Sequence, residues 1–167
     1  MITQKRIYRI RCQGYNENFS DEEVSQHSVG NRFAYQLCTL LFATGLVFNS
    51  IPILIVAASV AASTVFLPYH LFDYFYNYTI RHLFNRPALP KRTPQAKFAC
   101  GLASVWLLAI IILFRLKLGT AAYILGGLLL AVALLVSITD YCIPSQIYNF
   151  LHRVNSSQKL KTKAHES

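Results

Sequence analysis

The chain has 167 residues, enough for one compact domain, and 54% of them are hydrophobic with a mean hydropathy of +0.36. That excludes an ordinary soluble domain. Sixteen Lys and Arg against seven Asp and Glu give a formal charge of +9. On a soluble protein such a charge would suggest nucleic acid first. Here the basic side chains sit between and outside long apolar blocks, so anionic lipid headgroups are the expected partner and nucleic acid is not.

Residues 1–30 read as a polar, basic N-terminal segment. Lys5, Arg6, Arg9 and Arg11 are followed by polar sequence rather than an apolar signal-peptide core, so the first span is expected to serve as the insertion signal. Ile7, Tyr8 and Ile10 carry a weak strand-like alternation. Ser20 and Glu23 fit a capping box. It would open a short helix that runs to Val29 and ends at Gly30-Asn31.

Phe33–Tyr69 contains no charged side chain, and Phe98–Thr139 contains only Arg115 and Lys117. Each block is about twice the ~20 residues that cross a bilayer core. Each breaks near its middle, at Asn49-Ser50-Ile51-Pro52 and at Arg115–Gly119. The expected fold is an all-α integral membrane domain over 31–154. Its four spans, about 33–49, 51–69, 98–114 and 119–139, form two tandem helical hairpins.

Between the hairpins, residues 66–84 hold eight aromatic side chains. His70, Asp73, Asn77 and Arg81 fall at i, i+3, i+7 and i+11, one polar stripe on a helix. The stretch 70–85 predicts an amphipathic helix at the membrane interface, with the stripe toward headgroups and Pro68 kinking the chain before it. Pro87, Pro90 and Pro94 keep the following link extended. The tail 155–167 is basic, poor in apolar residues and expected to be disordered.

The charges also set an orientation. Fourteen of the sixteen Lys and Arg lie before span one, between spans two and three, or after span four. Excess positive charge marks the cytoplasmic face, so both termini are expected inside a bacterial inner membrane.

Two further patterns concern packing. An offset of 65 lays Phe33-Ala34 on Phe98-Ala99 and Ala57 on Ala122, which suggests a parallel tandem repeat. Ala57, Ala61, Ala122, Gly126 and Gly127 make small-residue faces on spans two and four. Close backbone approach drives helix pairing in lipid, so these two spans are expected at the packing centre, with one and three outside. The same residues could instead serve a homo-oligomer or a membrane-protein partner.

Candidate chemistry is sparse. Cys12, Cys38, Cys100 and Cys142 all lie toward the cytoplasmic side, where disulfides are rare. Cys38 and Cys100 fit small apolar roles. Cys142, just past span four and before Pro144, is expected to see water and is the first candidate reactive thiol, with Cys12 the second. The five histidines and four cysteines show no zinc spacing. No nucleophile elbow, phosphate loop or dinucleotide motif is present. No Asp, Glu, Lys or Arg lies within the four spans, which weighs against an ion-coupled transporter. No catalytic residue, metal or cofactor is therefore assigned.

Three local stretches carry a family likeness. Pro68 opens a helix to Leu83-Phe84, Lys97-Phe98-Ala99 starts span three, and Thr120–Leu125 leads through Cys142 to Tyr148. With the layout, they make the chain resemble a family of small four-span membrane proteins catalogued as domain of unknown function 4395. The likeness covers about Asn31 to Phe150. It implies a closing Cys-x-x-Cys followed by an aromatic. Here that reads Cys142-Ile143-Pro144-Ser145 and then Tyr148, so Ser145 replaces the second cysteine and only Cys142 carries over. Cys12 is similar to a cysteine that some members hold near the N-terminus.

The leading expectation is a small, non-enzymatic multi-pass membrane protein that acts through protein or lipid contacts. The second is a cytoplasmic-face thiol- or metal-handling protein that uses Cys142. The third is a small oligomeric transporter.

Overall fold

The computed structural model describes residues 4–15, 19–83 and 86–152. Among them every regular element is helical, with no strand. Helix α1 spans Gln4–Arg11, α2 Asp21–Val47, α3 Ile51–Phe66, α4 Leu71–Leu83, α5 Pro94–Arg115 and α6 Gly119–Thr139. A last helix, α7, covers 143–152. The expected disordered tail lies outside the described residues.

The alternation at Ile7, Tyr8 and Ile10 belongs to a helix, not a strand. Ile7 and Ile10, three residues apart, share the buried face of α1 while Tyr8 points outward.

Helix α2 starts as its sequence predicts. Ser20 Oγ accepts from Glu23 N, and Glu23 returns a bond to Ser20 N. That bond holds the exposed Glu23 carboxyl below its usual pKa. The helix does not stop at Gly30-Asn31, as expected; it continues to Val47. Gly30 serves packing instead. A Cβ there would lie 2.7 Å from the Tyr76 ring and 2.9 Å from Leu89 Cδ2, so only glycine lets α4 and the link after it close on α2.

Both sequence breaks become three-residue turns of one geometry. After α2, Phe48, Asn49 and Ser50 donate to the carbonyls of Thr44, Leu46 and Gly45. After α5, Leu116, Lys117 and Leu118 donate to Ile112, Phe114 and Leu113 in the same pattern. The middle residue of each turn has positive φ, 49° at Asn49 and 60° at Lys117. The turns relate the two halves at an offset of 68, three residues from the 65 that the residue matches suggest.

The long helices pack in a ring: α2 against α3, α3 against α5, α5 against α6, and α6 against α2. Helices α3 and α6 therefore stand diagonally and do not form the packing centre expected of spans two and four. Their small residues face other neighbours. Ala57, Ala61, Ala122 and Gly126 are buried, and Gly126 meets Leu46 of α2. Gly127 has open space beside it and takes no part in close packing. The core between the helices joins Phe42, Leu46, Leu54, Ile110, Phe114 and Leu129.

Helices α5 and α6 are long and apolar enough to cross a membrane. Helices α3 and α4 meet at an 81° bend and make a third such element only if taken as one broken span. Val105, Leu108 and Ile112 on α5, and Ile124, Leu128 and Ile138 on α6, are exposed. Among the described residues nothing covers these faces, as suits membrane-crossing helices.

Candidate functional site

The end of the ring away from the two turns gathers α1, α4, the link 86–93, α7 and the first part of α2. At its centre is a buried ion pair. Arg92 forks onto Asp73, with Nε 2.6 Å from Oδ2 and Nη2 2.5 Å from Oδ1. Arg92 also donates to the side-chain oxygen of Asn31. Its guanidinium lies over the Tyr35 ring, 5.2 Å from the centroid. Asp73 is 0% exposed and Arg92 6%. Burial opposes the Arg92 charge, but the Asp73 carboxylate, both its ion partner and its hydrogen-bond acceptor, outweighs it and keeps the group protonated.

Asp73 has a second task. Its Oδ2 accepts from His70 N at 2.9 Å, and His70 Nδ1 accepts from Phe72 N at 3.2 Å. His70 and Asp73 thus cap the first turn of α4 reciprocally. The contact with Phe72 N places the ring proton of neutral His70 on Nε2. Burial first, and then the Arg92 charge, push the His70 pKa down to about 4, with Asp73 opposing. His70 Nε2 lies 3.3 Å from Cys38 Sγ, so its N–H donates to the sulfur.

That sulfur borders a cavity of about 140 Å3 inside the ring. Cys38 of α2, Cys100 of α5 and Cys142, which follows α6, all line it, together with His70, Tyr35 and Trp106. Apart from the thiols and His70 the lining is almost wholly apolar. Among the described residues no three His, Cys, Asp or Glu side chains are grouped to hold a metal ion.

Cys142 was expected to see water, and here the structure differs: it is 5% exposed. The chain does not leave the core after α6. Asp140, at φ 58°, turns it into α7, whose Ser145 hydrogen-bonds Cys142 and whose Tyr148 ring packs 5.5 Å from that of Phe98 on α5. Burial raises the Cys142 pKa, with Ser145 partly offsetting it. Cys12 is half-buried, and its carbonyl accepts from Asn149 Nδ2 at 2.8 Å, well apart from the cavity thiols in its contacts.

The polar stripe is corrected as well. His70, Asp73 and Asn77 turn inward, not toward headgroups. Asn77 Oδ1 accepts from Leu89 N at 2.8 Å, and Arg81 contacts His82. The outward face of α4 is largely apolar, with Leu71, Phe75, Tyr78 and Leu83 exposed beside Thr79 and His82. A π-helical turn over Tyr76–Ile80 shifts the register along the helix. The stripe faces inward because Arg92, buried beneath α4, needs Asp73.

A second ionic tie fixes α1. Asp140 takes Arg6 and Arg32, the latter at 3.0 Å, and its carbonyl accepts from Gln13 Nε2 at 2.7 Å. Sequence reasoning missed Arg92, Asp140 and the joint role of Cys38 and Cys100. The available signal was that all the cysteines lie toward one end of the apolar blocks.

With every regular element among the described residues helical, membrane-length helices and a thiol-lined, almost wholly apolar cavity between them, this is by class an all-α membrane protein with an internal cavity. The chain belongs to the family described as Domain of unknown function (DUF4395), which matches residues 28–153. No curated protein and no solved structure matches it.

Proposed function

We propose that this is a four-span protein of a bacterial inner membrane, with both termini cytoplasmic, that handles thiols in the cavity between its helices. The carrying observation is that Cys38, Cys100 and Cys142, from three separate parts of the chain, border one apolar void. This favours the thiol reading over a protein that acts through lipid or protein contacts alone. It moves the chemistry from a water-facing Cys142 to the interior. Of thiol and metal handling, the thiol half is favoured, because His70 Nε2 carries a proton and has no lone pair for a metal.

The four-span topology is supported by the ring packing of α2 and α3 with the two membrane-length helices. Fourteen of sixteen Lys and Arg fall to the side of the termini, which supports the cytoplasmic assignment and contact with anionic headgroups. The outward aromatic face of α4 suits an interfacial position.

Labelling of single-cysteine variants in membranes tests the cavity. Uncharged N-ethylmaleimide should reach Cys38, Cys100 or Cys142, while a bulky, charged maleimide should label Cys12 alone. In the parent chain one cavity adduct should block the others, because it fills the shared space. Three adducts formed as fast as in denatured protein would remove the reading. Reporter fusions after Ser50, Gly119 and Ser167 test topology; a cytoplasmic signal at Ser50 or Gly119 would overturn the four-span arrangement.

A further inference from the structure

This inference rests on the thiol reading and names its reacting atom and substrate class. We propose that Cys38, not Cys142, is the reactive thiol of the cavity, and that it exchanges with a small uncharged disulfide under the Nε2–H of His70.

Each cavity cysteine has a polar neighbour, but the neighbours differ in kind. Cys100 lies by Thr64 and Cys142 by Ser145. A hydroxyl can accept from a thiol as readily as it donates to a thiolate, so the Thr64 contact selects neither form; Ser145 adds a backbone N–H that can only donate to Cys142, but Cys142 is 5% exposed. His70 has no such choice. Its Nδ1 is occupied by Phe72 N, so Nε2 can only donate. The 3.3 Å contact to Cys38 Sγ therefore favours negative charge on that sulfur as it develops. Cys38 is also half-buried, whereas Cys100 and Cys142 are buried.

The cavity limits what can arrive. Its apolar walls would strip a charged disulfide of water without replacing the lost bonds. The nearby Arg92 and Asp73 neutralise each other and offer no free charge. In apolar surroundings the thiol is protonated at rest, so the thiolate forms only as exchange proceeds. Cys38 sulfur attacks one sulfur of R–S–S–R. A Cys38–sulfur bond forms as the S–S bond breaks. The departing RS⁻ takes the proton released by Cys38. The products are Cys38–S–S–R and R–SH, and no outside oxidant or reductant is consumed. His70 is a positioning residue here: it holds charge on sulfur and keeps its own proton.

The test uses full-length chains that keep one cavity cysteine each, purified in detergent. The probes are uncharged dipyridyl disulfide and anionic dithiobis(nitrobenzoate), followed by thiol release. Cys38 should react fastest with the uncharged probe, and should prefer it over the anionic probe more than a free thiol does. His70→Asn keeps a good helix cap but removes the Nε2–H. It should slow Cys38 about tenfold, the effect of one hydrogen bond lost to a developing anion, and leave Cys100 and Cys142 unchanged. A faster Cys100 or Cys142 would overturn the proposal, as would a His70→Asn chain that reacts normally. The ranking of the three thiols stands as a test even if His70→Asn fails to fold. If all three react but Cys38 does not lead, the cavity reading survives and this inference does not.

Discussion

Alanine at Gly126 and at Gly127, taken one at a time, separates a packed helix face from an open one. A Cβ on Gly126 would lie 2.5 Å from Leu46 Cδ1, 3.0 Å from Cδ2 and 3.4 Å from Cγ. Both methyls are closer than an ordinary contact while Cγ is at its limit, so swinging one methyl aside does not relieve the overlap. It is 6% exposed and sits in the core with Phe42, Leu54 and Leu129. Overpacking of this kind costs about 1–3 kcal/mol. Gly127 has nothing within 4 Å of the new Cβ. There the substitution adds only helix propensity, about 1 kcal/mol in favour of alanine. The same gain offsets part of the clash at Gly126. Gly127→Ala should therefore match or exceed the parent, with Gly126→Ala about 1–3 kcal/mol below Gly127→Ala. Unfolding by titrated denaturing detergent in mixed micelles, followed by circular dichroism, gives the difference. Equal stability of the two variants would refute the helix facing and, with it, the contact between α6 and α2.

Asp73→Ala strands the buried Arg92 guanidinium and should cost about 3–5 kcal/mol, while adding Arg92→Met should recover part of the loss; thermal unfolding of the single and double variants checks this. The His70 pKa, about 4 when folded against about 6.5 unfolded, means that its neutral form stabilises the fold fully above pH 6.5. That contribution is lost as pH falls from 6.5 toward 4, by about 3 kcal/mol in all. Stability measured from pH 7 to 4 should fall less steeply in His70→Asn than in the parent, and parallel curves would count against a buried neutral imidazole. Ser20→Ala should cost about 1 kcal/mol by removing the cap of α2, with amide exchange rising in the first turn only.

How far the sequence reached depends on the range of the interactions involved. The apolar blocks, the two turns and the Ser20 cap are local: charge-free runs, a few turn residues and one hydroxyl three residues from a carboxylate. They are legible because their causes lie within a few neighbours along the chain. The helix through Gly30 was not legible, because glycine there answers to Tyr76 and Leu89 rather than to its own neighbours. The polar stripe on α4 was found, but its direction was not. A period of 3.6 says which residues share a face; it does not say that Arg92, nineteen residues on, waits beneath that face. Gly126 and Gly127 are alike in sequence and are told apart only by where Leu46 stands. The thiols repeat the lesson. Four cysteines toward one side could be read from position along the spans. That Cys38, Cys100 and Cys142 meet depends on the ring order of the helices and on the turn at Asp140 that leads into α7. Hydropathy places a residue at a depth; only packing between distant segments decides which residues at that depth face each other, and whether water can reach them.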